Sequence, residues 1–410
     1  MKKIFNFALY DFANSAFTTI IITFIFATYF AKQIAPNPVL GQSYWGWTIG
    51  ITGFLVAIIG PIAGSLADKK NKVVFFIRVF SLLCILFTTL LWFSKPSESY
   101  LLYTLVIVGT ANIFYELSLI FYNSLLKEIS TDKNLGKSSG FGFALGYIGG
   151  ILILLISIKL FIDTESPPFG LTTEESQNIR AIPLLVSFWF LIFSVPFLFL
   201  VIKENKKKIS KNISSNFKDI KKLIWDKKIS TLGKFLIARM LYADGLNAII
   251  VMGGIFAVGV FNLEIKDLLK LSILMNISAF IGAFVGGIAN DKYGSKNVIV
   301  VSLIGLIFSS TIILFTFSAS TFFFIAAING LFIGPIQSAS RVVITSMLSK
   351  DNQGKGFGLF ATSGKLTSFL GPLLVSTVTF LTESQRIGFS AAIVLLLAGL
   401  IILLRIKKIS

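Results

Sequence analysis

The chain has 410 residues, of which 55% are hydrophobic and only 14% charged, and its formal net charge is +18. A soluble domain has about 25% charged residues, so this composition excludes an ordinary water-soluble protein. The absence of histidine and the single cysteine, Cys84, exclude zinc–histidine sites, histidine-based acid–base catalysis and an intrachain disulfide framework. We therefore expect no metal, no cofactor and no enzymatic activity.

Twelve apolar runs are long enough to be membrane-spanning helices, which need about 20 apolar residues each. Their predicted limits are 7–31, 44–67, 73–94, 100–126, 138–161, 181–202, 231–258, 268–289, 297–317, 321–348, 356–381 and 387–404. The first run is too long for a cleaved secretory signal, and it contains Asp11 and Asn14. The sequence thus predicts an all-α integral membrane protein.

The basic residues indicate how this protein is oriented. Most of the 37 lysines and arginines fall in the loops and termini on one side of the twelve runs, with a dense group between 203 and 228. Basic residues collect on the cytosolic side of membrane proteins. We therefore expect both termini in the cytosol. We also expect the protein to be a monomer in a bacterial inner membrane. The positive charge then orients the chain in the lipid bilayer, and we expect no nucleic-acid partner.

The polar stretch 203–230 divides the twelve runs into six and six. It predicts an N-terminal bundle over 1–202, a cytosolic linker over 203–230 and a C-terminal bundle over 231–410. Within the linker, four apolar residues share one helical face: Phe217, Ile220, Leu223 and Ile224. This pattern is typical of an amphipathic helix lying on lipid headgroups.

One motif occurs twice at corresponding positions of the two halves. Gly64, Asp68 and Lys69 follow the second run, and Gly287, Asp291 and Lys292 follow the eighth, where Gly294 supplies a residue suited to a tight turn. Corresponding runs with corresponding motifs indicate a parallel repeat of six spans. Each copy is either a tight turn between antiparallel spans or a gating latch between the halves.

These loops resemble the signature Gly-x-x-x-Asp-[Lys/Arg]-x-Gly-x-[Lys/Arg] of the major facilitator superfamily, and Asn71 replaces the turn glycine in the first copy. Three further stretches resemble its vacuole-effluxer-like branch, often labelled unknown major facilitators: Tyr10–Phe17, Ala238–Gly245 and Gln337–Lys365. The resemblance implies two pseudo-symmetric six-helix bundles, alternating access, and a central cavity lined by spans 1, 4, 7 and 10. Fungal members of the branch are linked to amino-acid release from the vacuole, which implies a small polar solute.

Six charged residues lie deep inside the apolar runs, where each costs about 2.5–3.5 kcal/mol. They are Asp11, Glu116, Arg239, Asp244, Arg341 and Lys365. Three polar neighbours share helical faces with them at spacings of three or four residues: Asn14, Asn247 and Gln337. All nine are candidates for substrate binding or ion coupling. The alternative is that the charges form interhelical salt bridges without touching substrate.

The types of these residues suggest their roles. Arg341 with Gln337, or Lys365, suits a solute carboxylate, and Glu116 or Asp244 suits an amine. The same two acids are the deep carboxylates available for proton coupling, and sodium coupling stays open. We expect an alternating-access transporter of a small polar solute, coupled to H⁺, with efflux preferred. A membrane scaffold or receptor that kept the fold without transport is the alternative.

Overall fold

The computed structural model describes residues 2–70, 72–164, 166–201, 217–226, 228–261, 263 and 265–407. In this part of the chain, twelve helices are long and apolar enough to cross a membrane. Numbered as spans 1 to 12, they are Lys2–Ile34, Leu40–Asp68, Val73–Phe93, Glu98–Ile129, Leu135–Ile162, Glu174–Phe199, Thr231–Gly254, Lys270–Tyr293, Ser295–Phe315, Ala319–Met347, Lys350–Thr382 and Gln385–Leu404. Every predicted run overlaps one span, so the predicted all-α fold is confirmed.

Most spans are built on one long α-helix. The α-helices that form spans 2, 3, 7, 8, 9, 10 and 12 are, in that order, Pro38–Lys70, Val73–Leu90, Thr231–Phe261, Ile265–Tyr293, Ser295–Phe315, Ala319–Met347 and Gln385–Leu404. Spans 4, 5 and 6 contain Leu101–Ser124, Leu135–Ser157 and Ile182–Val195. Span 1 begins as the α-helix Lys2–Ala16 and widens into a π-helix over Phe17–Thr23. The helices of spans 2 and 10 continue through Pro61 and Pro335.

Span 11 is broken near its middle. One helix covers Gln353–Lys365 and a second covers Leu370–Thr382, with residues 366–369 non-helical between them. The break is closed locally, because Leu370 N donates to Thr367 O at 2.7 Å. Interrupted spanning helices are tolerated where the freed backbone groups are buried in protein or line a cavity. The predicted run 356–381 covers both helices, and Pro372, the helix-breaking residue of that run, lies in the first turn of the second helix.

The two halves repeat each other in their contacts. In the first half, Tyr10 of span 1 bonds Ser118 of span 4 at 3.1 Å. In the second half, Tyr242 of span 7 bonds Ser340 of span 10 at 2.7 Å. Each tyrosine therefore ties the first span of its half to the fourth, as expected of two bundles with the same internal topology.

Each half has its own hydrophobic core. One cluster draws almost entirely on spans 1 to 6 and the other almost entirely on spans 7 to 12. The domain limits at 202 and 231 stay predictions, because residues 202–216 of the proposed linker lie outside the described residues. The linker's last part forms the helix Phe217–Ile224 and two short antiparallel strands, Trp225–Asp226 and Lys228–Ile229, in which Trp225 faces Ile229.

The helix Phe217–Ile224 differs in part from the predicted amphipathic helix on lipid headgroups. Leu223 and Ile224, which we expected on lipid headgroups, pack against the core of the second half. The side chains of Phe217 and Ile220 lie outside the described residues.

The halves meet near one end of the bundle. Span 2 packs on the helix Gln353–Lys365 of span 11, and span 5 packs on spans 8 and 10. We call this end, which carries Lys2 at the start of span 1 and Leu404 at the end of span 12, the terminal face. Because the number of spans is even, the start of span 1 and the end of span 12 lie on the same face.

The turn between spans 8 and 9 generates the first testable expectation. Gly294 has φ +84°, in the region that favours glycine, and no atom lies within 4 Å of the position of an added Cβ. Gly294→Ala should therefore lower stability by about 1–2 kcal/mol through backbone strain alone, measured as a lower thermal unfolding temperature in detergent.

Gly253→Ala is the matched control. Gly253 also has open space around the added Cβ, but it lies inside the helix Thr231–Phe261. Alanine is the better helix former, so this variant should be as stable as the wild type or more so. Equal unfolding temperatures for Gly294→Ala and the wild type would contradict the strained turn.

Candidate functional site

Arg341 forms a hydrogen-bonded network between the halves, which we call the lock. It lies on span 10 and is 1% exposed. Its Nη1 lies 3.2 Å from Asp11 Oδ2 and also donates to Asn123 Oδ1 at 3.1 Å. Its Nε donates to Ser139 Oγ at 2.8 Å, and its Nη2 to Ser139 O at 2.7 Å. One guanidinium thus joins span 10 of the second half to spans 1, 4 and 5 of the first.

The carboxylate of the lock is held from its own half as well. The hydroxyl of Tyr122 donates to Asp11 Oδ2 at 2.7 Å. Gly142 leaves the necessary room, since a Cβ there would collide with both Asp11 and Arg341. Asn14 stands apart: its Oδ1 accepts from Tyr115 at 3.3 Å, and its buried Nδ2 has no hydrogen-bond partner.

The two acidic loop residues form a pair of matching latches. Asp68 accepts hydrogen bonds from Gly354 N and Lys355 N, each at 2.9 Å. These N–H groups belong to the first turn of the helix Gln353–Lys365. The first N–H groups of a helix have no intrahelical partner and carry partial positive charge, so they favour a carboxylate.

The second latch is the same contact with the halves exchanged. Asp291 accepts from Gly136 N at 2.6 Å and from Lys137 N at 3.0 Å, in the first turn of span 5. Gly287 lets the spans approach, since its added Cβ would meet Gly136 O at 2.8 Å. The geometry therefore supports latches between halves over simple tight turns.

The remaining loop candidates contribute less. The Nζ of Lys292 lies over the ring of Tyr293 at 5.0 Å. Gly64 permits close packing, because its added Cβ would collide with Gly354 O. The side chain of Lys69 lies outside the described residues, as does Asn71.

Glu116 and Lys365 form an ion pair at the centre of the molecule, which we call the central pair. Lys365 Nζ of span 11 lies 2.7 Å from Glu116 Oε1 of span 4. Their side chains are 32% and 14% exposed, in contrast to Arg341. Lys365 is twelve residues from the start of its helix, or roughly 18 Å from the terminal face at 1.5 Å per residue. This pair is more exposed than the arginine of the lock.

Spans 7 and 11 of the second half meet at the break. Arg239 donates to Phe360 O and Ser363 Oγ, each at 2.6 Å. Asn247 Nδ2 of span 7 donates to Ser368 O at 2.9 Å and so bonds to the backbone of the break. Asp244 is 2% exposed, and its Oδ1 has no hydrogen-bond partner, nor has Oγ1 of Thr367 in the break. The ion pairs found among the described residues do not include one between Arg239 and Asp244, which are five residues apart on span 7.

Gln337 is half-buried about one turn before Arg341 on span 10, and its Oε1 accepts from the Tyr147 hydroxyl at 2.9 Å. Among the described residues, the hydrogen bonds and ion pairs joining the halves fall between the terminal face and the level of Lys365. The terminal face is therefore closed in this structure.

Sequence reasoning missed the uncharged members of the lock. Asn123, Ser139 and Tyr122 carry no charge, so a search for buried charges did not select them. Lys127 was also missed; its Nζ donates to Leu348 O at 2.6 Å across the terminal face. Its position just beyond span 4 is typical of a loop lysine, and only the folded structure shows its partner.

Known proteins resemble this chain over nearly its whole length. Residues 33–408 match the family described as Vacuole effluxer Atg22 like. The MFS-type transporter YxiO of Bacillus subtilis (strain 168) is 25% identical over 409 residues, covering 97% of this chain and 93% of that protein. Autophagy-related protein 22 of Yarrowia lipolytica is 26% identical over 313 residues, covering 66% and 51%.

Solved structures show the same fold. The E. coli fucose:proton symporter FucP has a TM-score of 0.76 at 13% identity, covering 99% of this chain and 98% of that one. The human organic anion transporter MFSD10 has a TM-score of 0.73 at 15% identity, covering 98% of each chain. The proteins that this chain resembles are transporters and not enzymes.

The latches can be tested by labelling. Asp291→Ala leaves two helix N-terminal N–H groups unpaired, which should favour opening by about 2 kcal/mol, or roughly 30-fold. The reporter is a cysteine at Ser338, which is 1% exposed between spans 10 and 5, in a Cys84→Ala background. We expect faster labelling by a small thiol reagent.

Asp267→Ala serves as the control, because Asp267 pairs with Lys270 at the start of span 8, away from the terminal face. It should leave the labelling rate unchanged. If Asp291→Ala labelled no faster than this control, Asp291 would be a turn residue and not a latch.

Proposed function

Because the chain belongs to the Atg22-like vacuole effluxer family and is a transporter of the major facilitator type, we propose that it is a secondary active transporter working by alternating access. Its substrate is a small polar solute with both an amine and a carboxylate, such as an amino acid. Transport is coupled to protons and runs out of the cytosol. The protein works as a monomer in the inner membrane, with both termini cytosolic.

The observation that carries this proposal is the central pair. Glu116 and Lys365 come from different halves and are partly exposed just beyond the closed region. A zwitterion offers the opposite charge to each: its carboxylate can bind Lys365 and its amine Glu116. A solute can thus replace an existing ion pair without leaving either charge unpaired in a low-dielectric site.

The lock and latches supply the gate for such a cycle. With the termini in the cytosol, a closed terminal face corresponds to an outward-facing protein. To open inward, the halves must separate at Arg341 and at both latches. In this conformation Arg341 is already bonded within the lock, so Lys365 is the cation that can bind the solute carboxylate.

Coupling to protons rests on the two deep carboxylates. A proton on Glu116 cancels the charge that pairs with Lys365 and so links protonation to the contact between halves. Asp244 has an unpartnered oxygen beside the break in span 11. A specific observation also favours sodium as a second candidate: the helix Gln353–Lys365 ends beside Asp244, and helix C-termini carry partial negative charge.

Reconstituted vesicles test the coupling. Glu116→Gln and Asp244→Asn should each abolish solute movement driven by a pH gradient, while Asp267→Asn should transport normally. Sodium coupling predicts instead that a sodium gradient at constant pH drives wild-type transport. Normal pH-driven transport by both Glu116→Gln and Asp244→Asn, at normal expression, would contradict the proposed coupling site.

Ligand binding tests the substrate class. Amino acids, peptides, sugars and drugs are added to the detergent-purified protein at two pH values, and the unfolding temperature is followed, since a ligand that binds only the folded state raises it. Selected amino acids should raise it in the wild type. Lys365→Gln removes one charged hydrogen bond and should weaken that binding about 10- to 100-fold.

An Asp267→Asn protein should bind as the wild type does. No shift with any amino acid would contradict the substrate class. A protein that moved no solute under any gradient would favour the scaffold or receptor interpretation.

A further inference from the structure

We propose that an anionic phospholipid binds in a groove at the terminal face, between the two halves, and stabilises the closed state. The groove has a volume of about 560 Å³. Five of its lining residues are apolar: Ile4, Phe5, Phe141, Phe284 and Ile288. Two are basic: Lys2 and Lys137.

The walls of the groove come from both halves. Phe5 lies on span 1 and Phe141 on span 5, with their ring centroids 6.5 Å apart. Phe284 and Ile288 lie one turn apart on span 8 and are 45% and 44% exposed. These side chains lie in membrane-spanning segments, so the environment that reaches the groove is the bilayer. An acyl chain is apolar, as these side chains are, and can pack against them.

The two lysines determine which lipid fits. Lys2 starts span 1 and Lys137 lies in the first turn of span 5, so both are at the level where spans leave the membrane. Both are exposed. Basic residues between spanning helices at the membrane surface attract anionic headgroups. A phosphatidylglycerol with its tail along the phenylalanines would place its phosphate near these ammonium groups.

The groove is coupled to the second latch. The backbone N–H of Lys137 donates to Asp291 Oδ2 at 3.0 Å, and Ile288 lies about one turn before Asp291 on span 8. If the latch opens, spans 5 and 8 separate and the groove loses one of its walls. A lipid that bridges both walls therefore binds the closed state more tightly than the open one.

The matching position in the other half provides an internal comparison. Lys355 and Lys137 occupy matching positions, because each donates its backbone N–H to the aspartate of its latch, Lys355 in the first latch and Lys137 in the second. Lys355 is only 4% exposed, whereas Lys137 is exposed. The two latches are thus built alike, but only the second presents its lysine side chain to a headgroup.

The test uses the full-length purified protein with phosphatidylglycerol or phosphatidylcholine of the same acyl chains. Thermal unfolding and native mass spectrometry report binding. Phosphatidylglycerol should raise the unfolding temperature more than phosphatidylcholine does. The double variant Lys2→Gln/Lys137→Gln should bind phosphatidylglycerol about 30-fold more weakly.

The double variant Lys3→Gln/Lys133→Gln is the matched control. It removes the same charge from the same face, at exposed lysines that do not line the groove, and should bind within about threefold of the wild type. Ile288→Trp fills the groove without changing the charge and should reduce binding of both lipids. This variant keeps the test decisive if Lys2→Gln/Lys137→Gln fails to fold.

Equal stabilisation by both lipids, or equal losses in the two lysine pairs, would overturn the proposal. So would wild-type binding by Ile288→Trp. None of these measurements involves transport. A protein that transports an amino acid but does not select phosphatidylglycerol would contradict this inference alone, and the reverse result would contradict only the proposed function.

Discussion

The arrangement of this protein depends on the burial of one guanidinium. Arg341 is 1% exposed, and a buried charge without partners costs several kcal/mol. Its charged and polar side-chain partners, Asp11, Asn123 and Ser139, belong to the opposite half. The second half therefore satisfies its deepest charge only when it closes on the first. Separation of the halves needs water or other groups to replace these bonds, which makes the closed state a discrete one.

The contacts between the halves are of two kinds. The latches are repeated, because each half presents a carboxylate to a helix N-terminus of the other. The lock and the central pair occur once each, so they break the symmetry. Of these two, the lock has a buried guanidinium that makes four hydrogen bonds, whereas the central pair is partly exposed. The difference in exposure separates a group that holds the gate from a group that can meet a solute.

Local patterns carried much of the prediction. Hydropathy predicted the twelve spans, because the free energy of transferring a helix into lipid is a sum over about 20 residues that are consecutive in the chain. The repeated Gly–Asp loops indicated either tight turns or latches, since the same residues recur at the same point of each half. Proline did not locate the break in span 11: residues 366–369 contain neither proline nor glycine, and Pro372 lies in the helix that follows. The helices of spans 2 and 10 run through Pro61 and Pro335.

The sequence by itself determined how many spans there are, and it singled out six charged candidates deep inside the predicted runs, whose charges sum to zero. Only the tertiary structure decided which charge meets which. Arg341 and Asp11 are 330 positions apart, and pairing depends on the distance and direction between atoms after the helices have packed. The desolvation free energy of a charge inside an apolar run can be read from the local sequence. The partner that offsets this free energy is set by the fold.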